Sequence, residues 1–264
     1  MKYAAFLSIL LFLSCTNEKE NNTDAKILET PREDQLEAAV KKYPDSALLI
    51  ENLAQYYRDG GNYEKAIATV NRALQVDSTR ARYWDMKAIL HFENGDTLQA
   101  IHAFEKAVGL VPEPAYIISL ATLYAQTKNK RAVELADALL IGYKAHAEKE
   151  AYFIKGLYFS AIGKKQDAIS FFNEALQVSP TFMEAYREKA LALYDQQQYM
   201  EALLVLEKAV KLNNSFEEGY YYMGRCFEKL NRKEDAIESY QTALIYAPDF
   251  SEAKEALANL GVKQ

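Results

Sequence analysis

The sequence predicts an all-α solenoid, a stack of antiparallel helix pairs, and two regularities carry this prediction. Four of the six prolines stand on one lattice of 34 residues, at Pro44, Pro112, Pro180 and Pro248. Alanines repeat at the same interval, at Ala66, Ala100, Ala168, Ala202 and Ala236, and only Glu134 departs from the series. Because a fixed period of this size marks one small unit repeated along a chain, we expect an array rather than one or two ordinary domains.

Composition narrows the classes of function. Half of the 264 residues are hydrophobic, and the chain has only 10 glycines and 6 prolines, which is typical of a mostly helical protein with a continuous core. It has 31 Lys and Arg against 37 Asp and Glu, for a net charge of −6. Because nucleic-acid binders normally show a basic field, this balance speaks against a nucleic-acid partner.

The first fourteen residues predict an export signal. Lys2 precedes an apolar run over positions 4–13, and this order is typical of a signal peptide. The run is too short to span a bilayer. We therefore expect residues 1–14 to be a signal peptide.

Cys15 follows directly and predicts a lipid anchor. The small residue before it resembles the lipobox of bacterial lipoproteins, although Phe12 stands where a leucine is usual. The resemblance implies that Cys15 is lipidated and becomes the mature N-terminus. The alternative is an ordinary secretory signal with an incidental cysteine. The polar stretch over 15–30 has almost no large apolar side chains, so we expect a flexible tether.

The array occupies residues 31–264, taken in order. Residues 31–44 have apolar side chains at helical spacing and predict an N-terminal capping helix. The predicted units are 47–80, 81–114, 115–148, 149–182, 183–216 and 217–250. Residues 251–261 predict an amphipathic helix that covers the last unit as a C-terminal cap.

Residues 47–80 show the pattern of one unit. Leu53, Ala54 and Tyr57 form one helical face, a Gly-Gly turn ends the helix, and Ala66 lies on a second helix. This order of large, small and aromatic residues, glycine turn and alanine resembles the tetratricopeptide repeat. The resemblance covers about residues 32 to 260 and implies a right-handed superhelix of about six repeats.

The repeated small residues have a physical reason. Two helices approach closely only where side chains are small, so we expect the Ala or Gly at positions 54, 88, 156, 190 and 224 to face the lattice alanines. Gly61, Gly95 and Gly163 predict left-handed residues after helix ends. Thr181 with Glu184, and Ser215 with Glu218, predict capping boxes.

The unit over 115–148 is atypical. Its alanine, Ala132, comes 32 residues after Ala100 and 36 before Ala168. His146 replaces the proline of the lattice. We expect a shorter turn, a longer or bent second helix and a local change of pitch, from simple drift or from a functional hinge.

A search for catalytic chemistry finds none. The three histidines have no metal-ligand spacing, and there is no phosphate loop or nucleophile elbow. His91 is expected to be a packed ring, and Cys226 a small buried hydrophobe. The sequence thus predicts no enzyme, no cofactor and no metal.

The predicted site is a concave groove. In the family that the repeats resemble, certain places on the first helix of each unit face this groove. Carried over, those places are Arg82, Asp85, Ile89, Phe92, Phe153, Leu157, Arg187, Leu191, Tyr194, Tyr221 and Arg225. Aromatic residues and arginine are enriched where few residues carry most of the binding energy. The alternative is that some of these side chains bury against neighbouring helices.

One subtype of partner is disfavoured. Members of the family that bind chaperone tails clamp a C-terminal carboxylate with Lys and Asn at places that are Glu51 and Gln55 in the first unit, and Asp85 and Ile89 in the second.

These observations predict a function. We expect a non-enzymatic adaptor of the bacterial cell envelope, anchored by lipid, in the outer membrane, that holds a segment of another envelope protein in its groove. The layout is similar to lipoproteins of outer-membrane and pilus assembly. The alternative is a surface lipoprotein that binds carbohydrate or another nutrient, since tyrosines can stack on sugar rings.

Overall fold

The computed structural model describes residues 32–262. The predicted signal peptide, Cys15 and the tether lie outside the described residues. Over 32–262 the chain forms fourteen α-helices and no strand, which confirms the all-α prediction. The helices are α1 (Arg32–Lys42), α2 (Ala47–Asp59), α3 (Tyr63–Val76), α4 (Ala81–Glu93), α5 (Thr97–Leu110), α6 (Pro114–Gln126), α7 (Arg131–Gly142), α8 (Lys144–Ala161), α9 (Lys165–Val178), α10 (Met183–Asp195), α11 (Tyr199–Leu212), α12 (Glu217–Lys229), α13 (Lys233–Tyr246) and α14 (Ser251–Asn259).

Contacts divide the described residues into two compact units, 32–119 and 120–262. In the first unit, α2 packs against α3 and α4 packs against α5. The two pairs are in contact because α3 also packs against α4. In the second unit the pairs are α8 with α9, α10 with α11 and α12 with α13, and each pair packs against the next. Such stacking of neighbouring pairs is the arrangement of a helical solenoid.

The repeated small residues lie where paired helices touch. Ala66, Ala100 and Ala168 have no exposed surface. A Cβ placed on Gly224 would lie 2.6 Å from Cε1 of Tyr240, whose ring fills the space between α12 and α13. The predicted close approach at small residues is therefore confirmed.

The turns within pairs need a left-handed residue. Gly61, Gly95 and Gly163 have φ of 71°, 83° and 84°, as the sequence predicts. In three other pairs a residue with a side chain takes this place: Lys128, Gln197 and Asn231, with φ of 59°, 63° and 57°.

The predicted capping boxes are wrong. The N-cap residues of α10 and α12 are Phe182 and Phe216, and neither helix has a side-chain cap. Phe216 is buried, so apolar packing holds this helix entry. Glu218 instead accepts hydrogen bonds from an arginine of α10.

The atypical unit differs from its expected form. The helix α7 has 12 residues, whereas the other second helices have 14. Four residues, 127–130, separate α6 from α7, so the turn is not shorter either. The helix that lengthens is α8, with 18 residues where α10 and α12 have 13. Since His146 replaces the proline of the lattice, nothing stops a helix there, and α8 begins at Lys144.

The two terminal helices attach differently. The helix α1 has no buried residue. The hydroxyl of Tyr57 lies 3.0 Å from a carboxylate oxygen of Glu33 and 2.9 Å from one of Glu37, and Lys65 pairs with Glu33 at 2.7 Å. At the other end, Leu257 of α14 is buried in the core of the second unit. Polar contacts together with the partly buried Leu36 and Val40 therefore attach α1, whereas α14 places a fully buried side chain in the core.

Candidate functional site

The eleven predicted groove residues divide between the two compact units. Arg82, Asp85, Ile89 and Phe92 all lie on α4 of the first unit. The other seven lie on α8, α10 and α12 of the second unit, where α10 contacts both α8 and α12. The first helices of the second unit therefore form one continuous face, and each set is a candidate site of its own.

Phe153 belongs to the core rather than to the face. It is 9% exposed, and its ring centroid lies 4.9 Å from that of Phe182 and 5.8 Å from that of Phe172. Leu157 and Leu191 are half-buried. The aromatic contact predicted at Phe153 is used between helices, so this ring is not free for a partner.

Arg187 is also internal. It is 3% exposed, and one of its terminal nitrogens lies 2.9 and 2.6 Å from the two carboxylate oxygens of Glu218. It pairs with Glu188 as well, at 3.1 Å, and burial raises the pKa of Glu188. Arg187 therefore ties α10 to α12 inside the unit.

Arg225 is the arginine that stays available. Its guanidinium carbon lies 4.9 Å from the ring centroid of Tyr194 and 5.7 Å from that of Tyr222. Unlike Arg187, it has no carboxylate partner among residues 32–262. It is half-buried. A cation held between aromatic rings without a counter-ion is positioned to receive an anionic group.

Tyrosines surround this arginine. Tyr221 packs 5.1 Å from Tyr222 and 5.0 Å from Phe250, measured between ring centroids. Burial raises the pKa of Tyr222 to about 12, so its hydroxyl stays protonated at neutral pH and can donate a hydrogen bond. We call Tyr194, Tyr221, Tyr222 and Arg225 the tyrosine-arginine face. Tyr222 is not among the predicted groove residues, although the run of three tyrosines at 220–222 marks this position in the sequence.

The first unit presents a different chemistry. Arg82 holds Glu51 with two hydrogen bonds, from Nε at 2.7 Å and from a terminal nitrogen at 3.0 Å. Asp85, one turn further along α4, is 7% exposed. Burial raises its pKa to about 6; the charge of Arg82 opposes this shift, and the charges of Glu113 and Glu51 add to it.

The remaining predicted residues and clefts add no catalytic arrangement. Ile89 and Phe92 are half-buried on α4, and burial lowers the pKa of His91. Two open clefts, of about 530 and 360 Å³, contain none of the eleven predicted residues. In the part of the chain that the structure describes, no group of three or more His, Cys, Asp or Glu is placed to hold a metal ion. No helix over the same residues has the length and apolar character needed to cross a membrane.

Family models of the tetratricopeptide repeat match residues 33–90, 81–114, 149–182 and 187–252. The chain is a tetratricopeptide repeat protein. Its repeats confirm the resemblance predicted from the proline and alanine lattice, and proteins of this family are protein-interaction adaptors. Membership of this family therefore supports protein binding as the class of function.

Known proteins agree with this assignment. The chain is 30% identical over 210 residues to Hsp70-Hsp90 organizing protein 3 of Arabidopsis thaliana, a match that covers 75% of this chain and 36% of that protein. The chain therefore spans about a third of that relative's length.

Two solved structures share the fold. A tetratricopeptide repeat protein from Parabacteroides merdae superposes with a TM-score of 0.72 at 21% identity, over 87% of this chain and 91% of that one. PilW, a type IV pilus biogenesis factor, gives a TM-score of 0.63 at 19% identity, over 79% of this chain and 97% of that one.

Proposed function

We propose that this tetratricopeptide repeat protein is a non-enzymatic adaptor lipoprotein of the bacterial cell envelope. In this proposal the lipid on Cys15 anchors the chain, residues 15–30 supply reach, and the second unit holds a segment of another envelope protein. The sequence of the first thirty residues supports the anchor. The likeness of fold to PilW, a pilus biogenesis factor, is compatible with a role in outer-membrane or pilus assembly.

The observation that carries the binding proposal is the guanidinium of Arg225, which contacts tyrosines and has no carboxylate partner among residues 32–262. A half-buried cation has lost part of its hydration, and a carboxylate would restore hydrogen bonds to it. The rings of Tyr194 and Tyr222 already hold the guanidinium, so little side-chain entropy remains to be lost on binding. We therefore expect the partner segment to place an acidic side chain or a chain terminus on the tyrosine-arginine face.

The chaperone-tail alternative has less support, although an organizing protein of chaperones is among the relatives. Glu51 and Asp85 stand at the places where the resemblance requires a lysine. Glu51 is also occupied, because Arg82 binds both of its oxygens. A carboxylate of a chaperone tail would meet negative charge at these places.

The binding proposal is tested by cross-linking in intact cells followed by mass spectrometry of the proteins recovered with the chain. Arg225→Gln removes the charge and keeps most of the side chain's length. The matched control is Arg232→Gln, because Arg232 is an exposed arginine of the same unit, paired with Asp235 at 2.8 Å. We expect Arg225→Gln to lower partner recovery about tenfold or more, and Arg232→Gln to leave it unchanged. Equal recovery with both variants would exclude the tyrosine-arginine face, and recovery of glycans in place of proteins would favour the carbohydrate-binding alternative.

The anchor is tested separately. We expect the native chain to incorporate labelled fatty acid and to sediment with membranes, whereas Cys15→Ser should do neither. A Cys15→Ser chain that still sediments with membranes would refute the lipid anchor without affecting the binding proposal.

A further inference from the structure

Asp85 is a buried carboxyl group without a partner. It is 7% exposed, and it has no hydrogen bond or ion pair to any other residue in 32–262. Aspartate is almost never buried in this way unless it is paired. The fold of the first unit therefore leaves a strong acceptor unused.

The nearest cation does not satisfy Asp85. Arg82 lies one turn away on α4, but two of its nitrogens are bound to Glu51 at 2.7 and 3.0 Å. The other neighbours are Glu113, whose charge raises the pKa of Asp85, and Tyr116, whose own pKa is raised by burial. One positive charge thus faces up to three negative ones. The surroundings of Asp85 favour the approach of a further cation.

The carboxyl group is open to such an approach. Among the side-chain oxygens of residues 32–262, only Oε2 of Glu150 is both fully buried and without a hydrogen-bond partner. The carboxylate oxygens of Asp85 also have no partner, so they must keep some contact with solvent. Because only 7% of Asp85 is exposed, a single side chain of a partner can contact its carboxylate, whereas a full shell of water cannot.

We propose that Asp85 is a recognition site for one basic side chain, a lysine or an arginine, of a protein that this adaptor binds. The incoming ammonium or guanidinium group donates hydrogen bonds to the carboxylate of Asp85, and the charges of Glu51 and Glu113 add attraction. This inference rests on the proposed adaptor function and adds a requirement to it, a basic residue in the partner. Because a bound cation favours the ionised carboxylate, binding releases a proton near pH 6 and strengthens as the pH rises to 7.5.

The test uses phage-displayed random peptides, selected on the purified full-length chain at pH 7.5 and about 0.15 M salt. We expect the selected peptides to share a lysine or arginine at one position. Asp85→Asn, which keeps the shape of the side chain, should lower their recovery about tenfold or more, as should selection at pH 5. The matched control is Glu64→Gln, an exposed carboxylate of α3 in the same unit, which removes the same charge and should change recovery little.

The outcomes separate this inference from the proposed function. If Arg225→Gln abolishes recovery while Asp85→Asn does not, the binding face stands and the role of Asp85 is refuted. If the wild-type chain selects no peptides, both fail. If Asp85→Asn and Glu64→Gln lower recovery equally, the preference is for net charge alone and the inference is overturned. A direct readout is the ¹³C shift of the Asp85 carboxyl carbon, whose titration midpoint should fall when a selected lysine peptide is added and stay put with its norleucine counterpart.

Discussion

The cost of keeping Asp85 buried predicts a specific pH dependence of stability. The pKa of this carboxyl rises from its ordinary value near 3.8 to about 6 in the folded chain. A tenfold change in proton affinity corresponds to about 1.4 kcal/mol, so ionised Asp85 destabilises the fold by about 3 kcal/mol at neutral pH. A contribution of this size is a large part of the stability of a small domain.

The direction follows from which state holds the proton. Between about pH 4 and pH 6 the unfolded chain has lost the Asp85 proton and the folded chain keeps it. The contribution of Asp85 to the free energy of unfolding therefore falls as the pH rises through this window, and it is constant above about pH 7. Asp85→Asn has no such titration. We expect the free energy of unfolding of the variant, relative to that of the native chain, to rise continuously from pH 4 to pH 7.

The assay is urea unfolding followed by the fluorescence of Trp84. It is the one tryptophan of the sequence, it lies on α4 beside Asp85, and its indole nitrogen donates to the carbonyl oxygen of Ser78 at 2.8 Å. It therefore reports on the first unit. The difference between the two unfolding free energies should grow by about 3 kcal/mol across the window. If the two curves stay parallel, Asp85 titrates as an exposed carboxyl and the reasoning about its burial is refuted.

Three further predictions concern the second unit and the helix contacts. Gly224→Ala should lower the free energy of unfolding by about 1–3 kcal/mol, since its Cβ would lie within 2.6 Å of a buried tyrosine ring, whereas Gly109→Ala, with open space around it, should be neutral or slightly stabilising in the same thermal melt. Cys226, whose pKa burial raises to about 12, should resist iodoacetamide at pH 8 until urea unfolds the chain, and labelling of the native chain detected by peptide mapping would contradict its burial. Arg187→Met should cost about 1–3 kcal/mol in urea unfolding followed by circular dichroism, because it leaves the half-buried carboxylates of Glu188 and Glu218 unpaired, and a loss well under 1 kcal/mol would show that the pair is effectively solvated.

The repeat architecture could be predicted because its rules are local. A unit needs a small residue such as Gly224 opposite a ring such as Tyr240, and a left-handed turn residue such as Gly163. Each condition involves residues of one unit or of its neighbour in sequence, so a period of 34 residues displays them directly. For the same reason the irregular spacing at Ala132 was visible in the sequence. The lengthening of α8 was not visible, because the proline lattice shows where helices end and not where the next helix begins.

The binding residues depend on contacts that no period displays. Asp85, Phe153, Arg187 and Tyr221 occupy the same place in their units, yet three are buried and only Tyr221 is half-exposed. Arg187 is unavailable to a partner because it pairs with Glu218, which lies 31 residues later on α12. A predicted groove residue is open only if the following unit offers it neither a partner nor a covering side chain.

The amino-acid pattern was therefore sufficient for the regular helices, their pairing and the family, since those follow from spacing and side-chain size along the chain, but not for the atypical unit. Which polar groups remain unsatisfied required the folded structure. Arg187 finds its carboxylates across α10 and α12, while Arg225 finds tyrosine rings and Asp85 finds no donor. A charge left without a partner is a property of three-dimensional surroundings, and those two unmatched charges are where we expect binding.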